Sequence, residues 1–275
     1  MTPWTNALRS KLAGHEFKQV RTSFDAIGDI AILEIPPALR RHVRTIAQSF
    51  QKAHPHFKVI AMKTGAHEGP YRVQRVRVIA GERRTLAEHH ESGLRMLVDI
   101  NKAYFSPRLS TERLRVAHLV RPKERVLVLF SGVAPYALVI AKHARPSQVI
   151  AVELNPAAHK LAQENILRNK LDGKIAAVRA DALRWALRSR ERFDRIIMPL
   201  PLTALRFLHA ALRLTRKRAT IHFYTFAHED AFAAARDQVI RVCTQANKSC
   251  KVLRIVRVGQ QRPHVYRVCV DMRVL

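Results

Sequence analysis

Cysteine is scarce in this chain of 275 residues: Cys243, Cys250 and Cys269 are the only three. An odd count leaves at least one thiol unpaired. The sequence holds no C-x-x-C pair and no cysteine–histidine cluster at zinc spacing, which argues against a disulfide scaffold and a zinc module. A reducing compartment suits such usage, and a cytoplasmic location is expected. Histidines number 14 and are scattered, apart from His54/His56 and His89/His90, which read as surface or phosphate contacts. No metal is expected. Long apolar runs are also missing. None approaches the roughly 20 residues needed to span a bilayer, so no membrane partner is expected. Low-complexity runs and fixed-period repeats are absent, which excludes a solenoid or a disordered tail. Glycine occupies 9 positions and never forms G-x-G-x-x-G, the cradle of a dinucleotide pyrophosphate. Acid is short as well, with 21 Asp and Glu.

Base is what the chain has in excess. Its 49 Lys and Arg give a net charge of +28. They are spread along the whole length, which points to a folded protein with a wide surface for a polyanion. Apolar residues make up 48%, enough for a sizeable core. The first 21 residues carry Arg9, Lys11, Lys18 and Arg21 against one acid, Glu16. A transit peptide has that composition. An amphipathic, phosphate-facing helix with Trp4, Leu8 and Leu12 on one face is the preferred reading.

The pattern then divides the chain into a basic arm over 1–21, a small α+β domain over 22–105 and a larger α/β domain over 106–275. In the small domain, Ile30 to Ile35 reads as a strand ended by Pro36 and Pro37. Ala38 to His54 has helical spacing through Leu39, Val43, Ile46 and Phe50, and Phe57 to Met62 is a second strand. Val73, Val76 and Val78 lie in an Arg-rich extended segment, read as an edge or as a strand open to a ligand. In the larger domain, Thr111 to Val120 reads as a helix. Apolar runs at 126–130, 149–153, 175–178, 195–198 and 220–224 then alternate with helical segments near 135–144, 156–170, 182–190 and 203–214. Continuous apolar strands with helical crossovers mean a mostly parallel sheet covered on both faces. Val265 to Val270 is a late strand that can enter the sheet antiparallel.

The strand ends carry a series of binding signals. Phe130-Ser-Gly-Val-Ala-Pro135 closes the first strand, and Gly132 lets backbone approach a ligand closely. Glu153 closes the second, 21 positions after Gly132, where an acid accepts ribose hydroxyls. Asn155-Pro156 starts the next helix. Asp181-Ala182 follows the third strand, where a side chain can reach an adenine amino group. Met198-Pro-Leu-Pro201 follows the fourth. Glycine, acid, acid and a Pro-rich loop in that order point to S-adenosylmethionine more than to a dinucleotide.

These residues resemble the archaeal and eukaryal family of tRNA (guanine-37-N1)-methyltransferases and its sister wybutosine-pathway transferases. The resemblance runs over about residues 22 to 275. It includes Phe24-Asp-Ala-Ile-Gly-Asp-Ile-Ala-Ile-Leu33, Ala80-Gly-Glu82, Phe130-Ser-Gly-Val-Ala-Pro135 and Asn155-Pro156. Its most specific part is Tyr104-Phe-Ser-Pro-Arg-Leu109, just before Glu112. The resemblance implies a class I methyltransferase, Rossmann-like with a mostly parallel sheet, behind the small N-terminal α+β domain. It implies S-adenosyl-L-methionine as cofactor and the tRNA anticodon stem-loop as partner; a monomer is expected. It assigns Glu112 as general base for the N1 proton and Arg72 to the guanine carbonyl. Tyr104, Arg108 and Arg113 fall in the segment lining the cofactor and target pocket. Phe130, Gly132, Glu153, Leu154, Asp181, Ala182 and Pro199 match positions around the methyl donor. Without the resemblance, Glu112 is an ordinary helix carboxylate pairing with Arg108 or Arg115, and Arg72 is one phosphate contact among many.

Three departures stand out. The family has an acid in the first strand and a second glycine in the following turn, where this chain has Val128 and Ala134. Characterised members often carry Asn-Leu-Pro after the fourth strand, where this chain has Pro199-Leu-Pro201. Pro199 has neither a side-chain amide nor a backbone N–H. Many members also carry an extra N-terminal domain that grips the tRNA outer corner, ahead of where this sequence begins. The rival readings are methyl or aminocarboxypropyl transfer to a tricyclic base at the same tRNA position, and a non-catalytic tRNA-binding relative.

Overall fold

The computed structural model describes residues 3–69 and 71–275. The chain divides into two compact units, one ending at Pro107 and one spanning Arg108–Leu275.

The first unit opens with two single-turn helices, α1 (Pro3–Asn6) and α2 (Gly14–Phe17). The expected continuous helix over the first 21 residues is therefore broken. Its apolar face is nonetheless real: Trp4, Leu8 and Leu12 are all buried. They pack in one cluster with Leu39, Ile46, Phe50, Ile60 and Met62. Strands β1 (Phe24–Ile27) and β2 (Ile30–Leu33) form a hairpin, and α3 (Val43–Ala53) crosses to β3 (Val59–Glu68). Strand β4 (Val73–Gly81) closes a four-stranded sheet in the order β1-β2-β3-β4, in which only β2 and β3 are parallel. The Arg-rich segment is thus an edge strand. A separate hairpin, β5 (Leu86–Glu91) and β6 (Leu94–Asp99), follows.

Two motif glycines owe their identity to close backbone contacts. A Cβ on Gly28 (φ 55°) would lie 2.1 Å from the Glu88 carbonyl oxygen, and one on Gly81 (φ 80°) 2.0 Å from that of Lys58. No side chain fits at such distances. His54, expected at the surface, instead packs its ring 4.5 Å from that of Phe50 and near Phe24 and Phe57. Burial there lowers its pKa. It ends α3 directly over the aromatic cluster, a position that sequence spacing does not reveal.

The second unit begins with α4 (Ser110–Leu119) and alternates from there: β7 (Arg125–Leu129), α5 (Pro135–His143), β8 (Gln148–Glu153), α6 (Pro156–Arg168), β9 (Ile175–Arg179), α7 (Ala182–Arg188), β10 (Phe193–Met198), α8 (Leu205–Arg213) and β11 (Thr215–His228). It ends with α9 (Phe232–Gln245) and the hairpin β12 (Cys250–Arg262) and β13 (Val265–Val274). The sheet order is β12-β13-β11-β10-β7-β8-β9. Strands β9, β8, β7, β10 and β11 are mutually parallel, and β13 enters antiparallel beside β11. The central strands are buried on both faces, as Val126 to Val128 and Ile196 to Met198 show. The order reverses at β7, with β8 on one side and β10 on the other, and ligands of such sheets bind outside the carboxyl ends at that point. Among the described residues, no helix is long and apolar enough to cross a membrane.

Candidate active site

Phe130, Gly132, Glu153, Leu154, Asp181, Ala182 and Pro199 all lie within three residues after, or at, the carboxyl ends of β7, β8, β9 and β10, which are neighbours in the sheet. The structure stitches the first three of these ends together. The Ser131 amide donates to the Val152 carbonyl at 3.0 Å, and the Ala180 amide donates to the Glu153 carbonyl at 3.0 Å. The Glu153 side chain completes the seam. Its Oε2 accepts from the Gly132 amide at 2.6 Å and its Oε1 from the Asn155 amide at 2.7 Å. Burial raises the Glu153 pKa, with these amides working the other way. Each carboxylate oxygen keeps lone-pair capacity beyond the bond it has.

The turn after β7 is built from unusual backbone. Phe130, Gly132 and Ala134 have φ of 57°, 56° and 67°. Ala134 stands where a glycine would be at ease, at the N-cap of α5. From behind, buried Asn165 of α6 donates to the Val133 carbonyl at 3.2 Å. Ser131 Oγ is buried and has no hydrogen-bond partner among the described residues. An orphaned hydroxyl in a loop that presents backbone outward suits a polar ligand. On the other side of Glu153, Leu154 is exposed, Ala182 is buried, and Asp181 caps α7 through the Arg184 amide at 2.8 Å. The donor set, with a ribose-type carboxylate, a capped aspartate and an apolar side chain in the open, fits a nucleoside. Val128 is fully buried in β7, so this strand offers no acid to an ammonium group.

A second polar centre lies in the same unit and has its own logic. Glu112 is in the first turn of α4 and is 6% exposed. Arg115, one turn on, grips it with both prongs: Nε to Oε2 at 2.6 Å and Nη2 to Oε1 at 2.7 Å. The Tyr224 hydroxyl donates to Oε1 at 2.5 Å and the Tyr136 hydroxyl to that of Tyr224 at 3.0 Å. Burial pushes both phenols far above their ordinary pKa, so both remain donors. Oε1 therefore has two donors and Oε2 has one, which leaves Oε2 as the atom with room for a proton.

Arg115 itself is tethered from behind. Its Nη1 reaches Asp271 Oδ2 at 2.7 Å. Burial opposes its charge, but the bonds to Glu112 and Asp271 hold its pKa well above the usual value. Asp271 also accepts from Arg254 Nε at 2.7 Å and from His222 Nδ1 at 2.6 Å. Burial alone would raise its pKa, yet His222, Arg115 and Arg254 together hold it far below the ordinary range. Arg195 donates to the opposite ring nitrogen of His222 at 2.7 Å. Arginine cannot accept, so His222 is assigned the neutral tautomer with its proton on Nδ1. His222, Cys269 and Asp271 have ligand atoms within 4.8 Å of one another. Three guanidinium groups already address that cluster, which is a hostile setting for a cation.

The remaining candidates fall as follows. Arg113 is fully buried in α4, and Arg108 is exposed at the start of the second unit. Arg72 and Tyr104 belong to the first unit. Arg72 sits in the β3–β4 connection with φ of 54°. Tyr104 lines a cleft with Phe105, Gln74 and the Lys63–Asp25 ion pair. Sequence reasoning missed Tyr224, Tyr136, Asp271 and Ser131. Only Ser131 carried a local signal, its place beside Gly132.

Comparison with known proteins agrees along the whole chain. The TRM5/TYW2 methyltransferase domain matches residues 87–253, and the TYW2 N-terminal domain matches residues 5–85. A relative named tRNA (guanine(37)-N(1))-methyltransferase Trm5b, from Pyrococcus abyssi, is 36% identical over 256 residues, covering 92% of this chain and 75% of its own length. One named tRNA 4-demethylwyosine(37)-methyltransferase Taw21, from Saccharolobus solfataricus, is 30% identical over 250 residues, covering 90% and 92%. The solved complex of aTrm5 and tRNALeu superimposes with a TM-score of 0.87 at 29% identity, covering all of this chain and 78% of that one. Fold, strand-end seam and sequence matches agree, and this chain belongs to the TRM5/TYW2 family of methyltransferases.

Proposed function

We propose that this protein transfers the methyl group of S-adenosyl-L-methionine to N1 of guanosine 37 in tRNA, acting as a cytoplasmic monomer on the anticodon stem-loop. The observation that carries this reading is the buried Glu112 carboxylate, clamped by Arg115 and Tyr224, with one donor on Oε2 against two on Oε1. N1 of guanine holds a proton and is a poor nucleophile until it leaves. Glu112 takes that proton at Oε2 while the donors on Oε1 keep the carboxylate from turning. Charge then develops on O6, the role assigned to Arg72. Glu153 holds the ribose of the methyl donor and Asp181 its adenine amino group, with Leu154 and Ala182 beside the ring and Ser131 near the Gly132 turn. When bound, S-adenosylmethionine supplies an electrophilic sulfonium methyl. The base has to leave the anticodon-loop stack to reach it, and an aromatic side chain such as Tyr104 is suited to hold a base so exposed.

The match of residues 5–85 to a TYW2 N-terminal domain favours a second reading, transfer to a wyosine-type tricyclic base at the same position. Pro199, which offers no amide where an asparagine is frequent, is compatible with a different base edge. The test uses unmodified tRNA transcripts with guanosine or adenosine at position 37, a labelled methyl donor, and mass spectrometry of the product nucleosides. N1-methylguanosine from the first transcript alone is the expected result. Glu112→Gln then lowers kcat by about 10²- to 10⁴-fold, the usual contribution of a general base, with tRNA affinity retained. No product from either transcript, with tRNA still bound, moves the assignment to the tricyclic base.

A further inference from the structure

The β12–β13 hairpin is not absorbed by the chemistry above. β10 ends at Met198, which pairs with Phe223 of β11. β11 runs on to His228, paired with β13 as far as Val265, and β12 reaches Arg262 opposite the same Val265. The stretch from Tyr224 to His228 carries this part of the sheet roughly 16 Å past the end of β10, at about 3.3 Å per residue. β12 and β11 are each antiparallel to β13, so they run in the same direction. The turn at Pro263-His264 therefore lies toward the carboxyl end of the parallel strands, the end that carries Gly132, Glu153, Asp181 and Pro199.

This overhang is strongly basic. From Cys250 to Val270 the chain has Lys251, Arg254, Arg257, Arg262 and Arg267 and no acid. Arg254 belongs to the Asp271 network, and Lys251 lies at the far end of β12. Arg257 is exposed and spreads its guanidinium over the Tyr266 ring at 4.1 Å, with Phe232 at 5.7 Å. Arg267 lies over Phe226 at 5.6 Å. An aromatic face fixes a cation in place without neutralising it. Glu229, beside the hairpin turn, is taken by His264 Nδ1 at 2.6 Å. A charged edge strand also resists unwanted pairing. That purpose is served by charge anywhere along β12, and does not account for aromatic-backed arginines on the part that runs past the end of β10.

We propose that the overhang is a phosphate-gripping arm, in which Arg257 and Arg262 hold the ribose-phosphate backbone of the RNA strand that flanks the target nucleotide. This rests on the reading of the substrate as tRNA. Exposed guanidinium groups, one of them fixed on an aromatic face, at the same end of the sheet as the nucleoside-binding crevice fit a backbone that must be held while one base is presented to the site.

The test uses the full chain and a tRNA transcript, with binding followed by fluorescence anisotropy between 50 and 300 mM salt, values on the order of those over which phosphate contacts are usually resolved. Arg257→Gln, Arg262→Gln and the pair are compared with Lys251→Gln. Among the described residues the Arg262 side chain enters no hydrogen bond or ion pair, so its variant reports on RNA without a folding defect. The double variant is expected to bind about tenfold more weakly, with a salt slope shallower by roughly 0.7 to 0.9 per lost contact. Methyl-donor affinity stays unchanged in all variants, and Lys251→Gln binds tRNA as the wild type does. Wild-type affinity and slope in the double variant would overturn the arm and leave the substrate reading standing. A wild-type protein that does not bind tRNA would overturn the substrate reading and the arm together.

Discussion

Ala134 caps α5 with φ 67° and ψ 29°, left-handed backbone that costs an L-residue about 1–2 kcal/mol. This backbone leads the chain from the β7 turn into α5, where the Ala134 amide donates to the Ser131 carbonyl at 2.9 Å. Glycine there would relieve the cost, less what a more flexible unfolded chain and one lost buried methyl take back. Ala134→Gly is expected to stabilise by about 0.5 kcal/mol. A thermal melt should show a rise of about 1–2 °C. A fall would mean that the Ala134 methyl does more packing than its strain costs. This position was legible in the sequence, since a missing second glycine already marked the turn as tight. Helical spacing offered Glu112 two partners, Arg108 and Arg115, and the structure pairs it with Arg115, three positions on. Tyr224 was not legible, because it meets Glu112 across 112 positions and nothing local in β11 marks it as a donor.

At the level of elements, the parallel strands and their crossover helices were legible because the buried parallel strands are mostly apolar, and Pro or a cap marks the starts of α5, α6 and α7. α6 shows both signals, with Asn155 accepting from the Ala157 and Ala158 amides and Pro156 in its first turn. The late antiparallel strand β13 was legible too, whereas the hairpin β5–β6 and strand β12 were not. β12 is an edge strand whose residues are mostly half-buried or exposed, so its alternation of Lys, Arg and Val has no clean period. Yet β13, between β11 and β12, carries the residue that ties α4 to the sheet. Asp271 holds Arg115 of α4, Arg254 of β12 and His222 of β11 at once. Replacing it by Asn removes the charge that anchors the part-buried Arg115 from behind, the partner of the buried His222 ring and the counter-charge of Arg254. Asp271→Asn is expected to cost about 3–5 kcal/mol, as removal of one partner from a buried ion pair does. In a unit of this size that lowers the melting temperature by roughly 6 °C or more. A loss below about 2 °C would show that water or rearrangement compensates Arg115. Turnover should also fall at temperatures where the variant stays folded, because Arg115 then holds Glu112 without an anchor of its own.

For the whole molecule, net charge and the buried histidines push in one direction as pH falls. His222, His54 and His159 all have pKa values lowered by burial, so the unfolded chain takes up their protons first. A lowered folded pKa means that stability is fully present above the unfolded value, about 6.5 for histidine, and is lost as pH falls from there. Asp271 has the same sign in a later window, its contribution fading only below about pH 4. Glu153, raised by burial, works in the opposite sense and softens the slope above about pH 4. Beyond these groups, a chain at +28 with 14 histidines gains further positive charge on acidification, and self-repulsion favours the unfolded state. Salt separates the two causes, because it screens surface repulsion far better than it relieves the protonation of a buried ring. Melting temperatures at pH 7.5, 6.5 and 5.5, each in low and high salt, are expected to fall with pH in both, and less steeply in high salt. His222→Gln should reduce the slope that remains in high salt without abolishing it, since His54 and His159 still titrate. A melting temperature independent of pH in high salt would assign the whole effect to surface charge and would mean that His222 takes up its proton as readily in the folded chain as in the unfolded one.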